Sequence, residues 1–391
     1  MENSIFDEMR EWLFDQAIPF WTAHGPDRQY GGFVEALTFD GKDAALPYKR
    51  TRVTCRQIYV FSHAKIVGVP KLDELIDHGV AYLSTNCRQS DGGFIKTTTR
   101  EGAPLDPTYD LYDNAFAIFA FAWAFRATKN PTYRVLLDEA FVWVKANMRH
   151  TTGVGFQHQV PPQGYRAQNP HMHLLEACLA AYETTSDATF AECAHELVDL
   201  FKDHLFDENT TTLTEFFKDD LTPAPGPEGN RVEPGHHFEW AWILEVYGRL
   251  FDTDTAGLVK PLCKFAEDFG LNPTDGAVMN AVDRKGAAVD PGSRSWPNTE
   301  RLKAAVSLFR LGITDPMPLI ESSGRLLLDR YIQYGRDTNM VPGVWIDSFD
   351  ASGARTAENV PASILYHLFF AFSEVLSIEG SLGTKSDSSS K

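Results

Sequence analysis

The 391-residue sequence has five cysteines, an odd number, and none stands in a Cys-x-x-Cys pair. A disulfide framework and a clustered thiolate metal site are thereby disfavoured, and reduced thiols in a cytoplasmic protein are expected. Basic residues are also in deficit: 36 Lys and Arg stand against 53 Asp and Glu, for a formal net charge of -17. A polyanion-binding surface needs the opposite balance, so nucleic acid is not expected as a partner. The longest apolar run, residues 115–125, is too short to cross a bilayer, and the acidic start of the chain lacks the basic region of a signal peptide. No membrane partner is expected. Gly-x-Gly-x-x-Gly after a strand, a phosphate-binding loop and a Gly-x-Ser-x-Gly elbow are all missing, which leaves nucleotide cofactors and serine-hydrolase chemistry without a basis.

What is present is a period. Gly31-Gly32-Phe33, Gly92-Gly93-Phe94 and Gly153-Val154-Gly155-Phe156 recur at spacings of 61 and 62 residues. Weaker echoes follow at Thr214-Glu215-Phe216, Asp275-Gly276-Ala277 and Gly343-Val344-Trp345. These read as turns or short hairpins in which glycine supplies tight geometry and the aromatic plugs the core. Helical periodicity fills the intervals, over 56–64 and 133–148 for example. The stretch 115–125 is apolar on every side, as in a helix buried all round. Two helices per period and six periods predict an all-α fold, an (α/α)6 barrel with inner and outer rings. An open α-solenoid, with shorter regular repeats and capping units, is the alternative. The barrel is expected to occupy residues 1–379, and residues 380–391, rich in Ser, Gly and Lys, are expected to form a disordered tail.

Polar residues interrupt the apolar pattern where the second helix of each period begins: Arg56; Tyr112-Asp113-Asn114; His171 and His173; His236 with Glu239; Trp296 with Glu300; and His367. Taken from Arg56, Asp113, His173, Glu239, Glu300 and His367, their spacings run from 57 to 67 residues. A shared phase places them at one end of the barrel, where convergent titratable groups and aromatics make a candidate active site. Each also has a structural reading. Arg56 suits a buried ion pair, and Trp296 suits a loop plug. Asn169-Pro170 reads as an N-cap and a proline at N1, with His171 and His173 then ordinary first-turn residues. Positions i and i+2 do not share a helix face, so only one of these two histidines can point inward. His236 and Glu239, at i and i+3, do share one. Glu-x-x-His pairs hold metals in bundles, but no second matched pair occurs, and an orienting Glu239–His236 hydrogen bond is the simpler reading. No metal or other cofactor is expected.

The stretches Cys55-Arg56-Gln57, Tyr112-Asp113-Asn114-Ala115-Phe116, Asn169-Pro170-His171-Met172-His173-Leu174-Leu175-Glu176-Ala177, Pro234-Gly235-His236-His237-Phe238-Glu239-Trp240, Trp296-Pro297-Asn298-Thr299-Glu300 and Tyr366-His367-Leu368 together resemble the N-acylglucosamine 2-epimerase family. That family includes cellobiose 2-epimerases and aldose–ketose isomerases. The Gly-His-His-Phe-Glu-Trp stretch is more similar to the mannose isomerase branch. Asn114 stands where many members have His, and residues 362–365 replace a more polar, Lys-containing run.

The resemblance implies an (α/α)6 barrel acting on a neutral monosaccharide, mannose and fructose in the first place. His236 and His367 would be acid/base groups and His173 an aid to ring opening, with Arg56, Tyr112, Asn169, Glu239, Trp296 and Glu300 binding or orienting the sugar. Histidine suits removal of a weakly acidic C2 proton near neutral pH, and a fixed arginine cation suits the developing oxyanion. With Arg56 as the sole basic candidate, free sugars are expected over sugar phosphates. A 2-epimerase outcome, an inverting glycosidase using Glu239 and Glu300, and a non-catalytic sugar-binding scaffold are the alternatives. The assembly is expected to be a monomer or a homodimer.

Overall fold

A computed structural model describes residues 4–336 and 339–382. In chain order, α1 (Ile5–Glu11) passes through a π-helical turn (Trp12–Ala17) into α2 (Ile18–His24), and α3 (Thr51–Ile66) and α4 (Asp73–Tyr82) follow. Next come α5 (Leu111–Thr128), α6 (Pro131–Asn147), α7 (Asn169–Thr185) and α8 (Ala188–Leu200). The chain continues through α9 (Pro234–Phe251), α10 (Ala256–Phe269), α11 (Ser295–Arg310) and α12 (Met317–Leu326) to α13 (Leu365–Leu382).

Composition sorts these helices into two rings. α5 buries residues around its whole circumference, from Leu111 through Phe116 and Phe121 to Ala124, so it needs protein on all sides. α10 buries one stripe that includes Val259, Leu262, Cys263 and Ala266, so it needs protein on one side only. The packing follows. α3, α5, α7, α9, α11 and α13 touch one another in succession, and α13 returns to α3. α4, α6, α8, α10 and α12 pack outside their inner partners, and α1 covers α13. The ring is therefore closed, as the period predicts, and the solenoid is excluded. By length and composition α13 could cross a membrane, but most of it is buried as inner wall.

Capping defines the joints. Asp110 accepts the Tyr112 N–H at the start of α5, Lys129 ends it in the left-handed region, and Asn130 with Pro131 opens α6. At the glycine turns, Phe33, Phe94 and Phe156 are buried as plugs. Gly32 has φ +66°, and a Cβ there would lie 2.7 Å from the Tyr82 ring, so both conformation and space require glycine.

The segments leading into the inner helices join by short antiparallel pairs. Tyr48–Arg50 meets Thr97–Thr99, Tyr109–Asp110 meets Gln159–Val160, and Arg166–Ala167 meets Phe216–Phe217. Arg231–Val232 meets Val282–Asp283, Ser293–Arg294 meets Ser348–Phe349, and Val360–Pro361 returns to Ala36–Leu37. This collar surrounds the N-terminal ends of the inner helices and closes as they do. Two expectations change. Gly380 to Leu382 belong to α13 rather than to a tail, while 383–391 lie outside the described residues. The echo at Thr214-Glu215-Phe216 is not the turn of its repeat, because the local hairpin pairs Phe206–Asp207 with Thr212–Leu213 and leaves Glu215 beyond it.

Candidate active site

At the collar end a cavity of about 440 Å³ opens along the barrel axis. One residue of each inner helix stands in the same register at this end, Arg56, Phe116, His173, Glu239, Glu300 and His367, of which Arg56, His173, Glu239 and His367 line the cavity. The register is enforced two residues earlier. There, Asn114 Oδ1 accepts the Phe94 N–H (3.0 Å), His171 Nε2 the Phe156 N–H (3.0 Å), His237 Nε2 the Leu213 N–H (3.1 Å) and Asn298 Oδ1 the Val278 N–H (2.9 Å). Two residues are about 200° around a helix. A side chain bonded outward to the preceding loop thus turns the residue after next toward the axis.

This settles several alternatives. His171 is the loop anchor, and His173 points inward. Asn114 performs in its repeat the acceptor role that histidine performs in the next two, so the departure from His is chemically conservative. The ring position of α5 is Phe116 rather than Asp113, whose carboxylate is taken by Arg52 (2.8 and 2.9 Å). Asn169 is not an N-cap: it is the first residue of α7, Gln168 precedes it, and its side chain meets His236. Tyr112 lines the cavity and accepts from Arg56 Nη2 (2.6 Å). Trp296 is no loop plug. Its ring lies between His236 (5.1 Å) and His367 (5.6 Å), centroid to centroid.

Each histidine is held by a carboxylate, but the three environments differ. His236 Nδ1 faces both oxygens of Glu215, at 2.9 and 3.0 Å. Burial favours the neutral ring, yet Glu215, with Glu233 and Glu239 nearby, outweighs it and raises the pKa to about 9. The orienting carboxylate is therefore Glu215, not Glu239, which corrects the i, i+3 reading. His236 Nε2 lies 3.1 Å from the Asn169 side-chain nitrogen, while Asn169 Oδ1 has no partner. Exchanging that amide's O and N would let Asn169 accept a hydrogen bond from charged His236.

His367 Nδ1 lies 2.8 Å from Glu300 Oε1. Burial, reinforced by the charges of Arg56 and Lys303, holds this imidazole well below its ordinary pKa. With Nδ1–H donated to Glu300, Nε2 is left as the free basic atom. His173 Nδ1 bonds Glu176 Oε2 (2.9 Å), and burial lowers its pKa to about 4 despite that partner. Glu176 also accepts the Tyr366 hydroxyl.

Glu239 is pushed up to about 8 by burial and then by the charge of Glu300. Its Oε1 lacks a hydrogen-bond partner and lies 3.9 Å from His173 Nε2. Glu239, Glu300 and His367 bring one ligand atom each within 4.8 Å of the others, a spacing that could hold a metal. Lys303 already supplies positive charge there, 2.7 Å from Glu300, so a divalent ion would have to displace it.

Basic residues are more numerous at the mouth than expected: Arg50, Arg52 and Arg294 line it along with Arg56. Arg50 pairs with Glu35, Arg52 with Asp113 and Arg294 with Glu233. Arg56 has no carboxylate partner among the described residues. It bonds the Tyr112 hydroxyl and the Ser363 carbonyl (3.2 Å) and lies over the rings of Phe116 and Tyr366.

Sequence reasoning missed Glu215, Glu233, Glu176, Lys303 and Arg52. Glu176 and Lys303 had a signal, each three residues after a candidate on the same helix face. Glu215 had none, because it lies on a connection outside the helical phase.

Three comparisons bear on this geometry. The chain is 32% identical over 377 residues to the mannose-6-phosphate isomerase of Rhizobium meliloti (strain 1021), covering 94% of this chain and 96% of that protein. It is 29% identical over 330 residues to the D-mannose isomerase of Thermobifida fusca, covering 76% and 78%. A crystal structure of D-mannose isomerase superposes with a TM-score of 0.86 at 21% identity, covering 96% of this chain and 100% of that one. The model of the N-acylglucosamine 2-epimerase (GlcNAc 2-epimerase) family matches residues 31–371, and the chain belongs to that family.

Proposed function

We propose that the protein interconverts a free aldose and its ketose, with D-mannose and D-fructose the first pair, by proton transfer through an enediolate. The observation that carries this reading is the contrast between two histidines on either side of Trp296. His236 is held charged and His367 is held neutral, and environments that drive two titratable groups apart assign an acid and a base.

In this reading the open-chain sugar lies against Trp296. His367 Nε2 removes the C2 proton, and the C2–H electron pair moves toward the C1 carbonyl as its oxygen takes a proton from His236. The C2 hydroxyl then returns a proton to His236, and His367 delivers its proton to C1, which yields the ketose. Arg56, free of a carboxylate, stabilises the negative charge that builds on oxygen before proton transfer is complete, and Tyr112 and Ser363 fix the guanidinium plane. His173, neutral and fixed by Glu176, assists ring opening. Asn169, neutral Glu239 and Glu300 position hydroxyls and imidazoles. Delivery of the proton to the opposite face of C2 would instead give the 2-epimer, the outcome named for the family.

Free sugars are favoured because the rim arginines are already neutralised by carboxylates. The relative named for mannose 6-phosphate and the arginines at the mouth make the phosphorylated sugar the direct comparison. Lys303 beside Glu300 favours chemistry without a metal. Five buried free cysteines suit a reducing, cytoplasmic setting. Incubation of the purified protein with D-mannose, D-fructose, D-glucose, N-acetylglucosamine and cellobiose, followed by separation of the products, tests the assignment. Mannose–fructose interconversion is expected; products epimeric at C2 with no ketose would replace isomerisation by epimerisation.

A further inference from the structure

The barrel has a second cavity. It opens at the C-terminal ends of the inner helices, opposite the collar, and is the larger of the two at about 710 Å³, within the usual range of ligand sites. Its wall carries the rings of Phe119, Trp123, Trp242 and Phe370 and the imidazole of His63. His63 stacks on Trp123 (4.6 Å) and meets the buried Tyr59 hydroxyl through Nδ1 (2.9 Å). That hydroxyl has no other hydrogen-bond partner among the described residues. Its donation leaves the proton of half-buried His63 on Nε2, as a donor for a guest. The rim arginines are neutralised: Arg126 by Glu183 (2.6 Å), Arg310 by Glu374 (2.6 Å), Arg249 by Glu245 (3.4 Å) and Arg10 by Glu379. Aromatic faces, a neutral imidazole donor and a rim of balanced ion pairs suit an uncharged hydroxylated ring, and suit neither an anion nor a lipid chain.

Paired side chains join the two cavities. Glu176 lines the lower cavity, and the same carboxylate holds His173 above. The Lys303 ammonium lies over the Trp242 ring (4.0 Å) and the Phe370 ring (4.8 Å) of the lower wall and also pairs with the glutamate that holds His367. Glu176, in the ceiling of the lower cavity, thus orients His173, and Lys303, over two rings of the same wall, bears on His367 through Glu300.

We propose that this second cavity binds a neutral monosaccharide, and that its occupancy alters turnover at the collar end through Glu176 and Lys303. The probe is methyl α-D-mannopyranoside, whose locked ring prevents isomerisation. Calorimetric titration of the full-length protein is expected to give two sites per chain. Ala180→Trp and Val246→Trp, both on the lower wall, should each reduce the count to one. A single site in the wild type, or two sites that persist in both variants, overturns the proposal. If neither variant folds, crystals of the wild type soaked in the probe decide, with sugar density between Trp123 and Trp242 expected and its absence overturning. In kinetics, the probe should change kcat of the wild type by at least twofold and act as a purely competitive inhibitor of Ala180→Trp. Purely competitive inhibition of the wild type overturns the coupling. The binding arm does not depend on which sugar is turned over, so its failure is distinct from failure of the isomerase reading.

Discussion

The two ends of this barrel are built from the same six helices and differ in how their charges are used. At the lower end every rim arginine has a glutamate partner, and the Arg10–Glu379 and Arg126–Glu183 pairs stand near solvent, where ion pairs contribute little, while Glu245 is buried and its pKa raised by that burial. At the collar end the charges are buried and the partners are histidines. There burial and carboxylates pull against each other, so His236, His367 and Glu239 leave their ordinary ranges in different directions. Inner helices alone do not make a reactive site. The difference comes from the collar, whose connections deliver Glu215 and Glu233 to His236, and from burial deep enough to give a carboxylate control of an imidazole.

The largest expected effect is at His367. His367→Asn keeps the shape and the Nδ1-side hydrogen bond but removes the basic nitrogen. It should lower kcat about 10²-fold or more with little change in KM, and slow deuterium exchange at C2 of mannose in parallel. A folded variant that exchanges the C2 proton at the wild-type rate would leave His236 or His173 as the base and erase the asymmetry between them.

Next is Glu215→Gln, which removes the charge that holds His236 protonated. The donor form of His236 is present below its pKa of about 9 and is lost as pH rises through that value. The wild-type rate should therefore fall on the alkaline side near pH 9. In Glu215→Gln burial is opposed only by Glu233 and Glu239, so that limb should move down by about two pH units and kcat at pH 8 should fall about tenfold. A limb that stays in place would assign it to another group, with Glu239, raised to about 8, the nearest.

These contrasts were only partly legible in the sequence. The fold was, because an inner helix must be apolar on every face and the stretch 115–125 says so directly, while the glycine turns give the period. The phase of the polar interruptions located His173, His236, Glu239, Glu300 and His367. It slipped at α5, where Asp113 seemed the natural ring member because it is charged. The true position, Phe116, is apolar and cannot be told from core by residue type. The i, i+3 pairing of His236 with Glu239 failed for a related reason: adjacency on a helix face is local, whereas Glu215 comes from the preceding connection and shares no period with α9. What sequence could not supply was which carboxylate each histidine meets, Glu215 for His236 above all, and the partners decide protonation.

A smaller effect separates substrates. With Arg50, Arg52 and Arg294 committed to carboxylates, a phosphate gains only what it can take from existing pairs. Mannose should be turned over with kcat/KM at least tenfold above mannose 6-phosphate, measured side by side at one ionic strength. The reverse order would mean that the mouth yields its arginines to an anion, and that its charges are less committed than those of the lower rim.

The smallest expected effect concerns Lys303, which belongs to both ends. Its ammonium both neutralises Glu300 and lies over the Trp242 and Phe370 rings of the lower wall. A divalent ion held by Glu239, Glu300 and His367 would have to expel this charge, take the proton from Glu239 and occupy the basic nitrogen of His367, which the proton transfer needs. Removal of metals should therefore leave kcat within about twofold of the untreated enzyme. Dialysis against a strong chelator, elemental analysis and assay of the same sample check this. Stoichiometric metal lost together with activity, and restored with it, would show that the ion displaces Lys303 in the working enzyme. In that case Lys303→Met should bind the ion more tightly than the wild type. If instead the ion is absent throughout, Lys303→Met should lose activity without chelation, because Glu300 would then be a buried carboxylate with no cation beside it, taking up a proton and releasing its hold on His367.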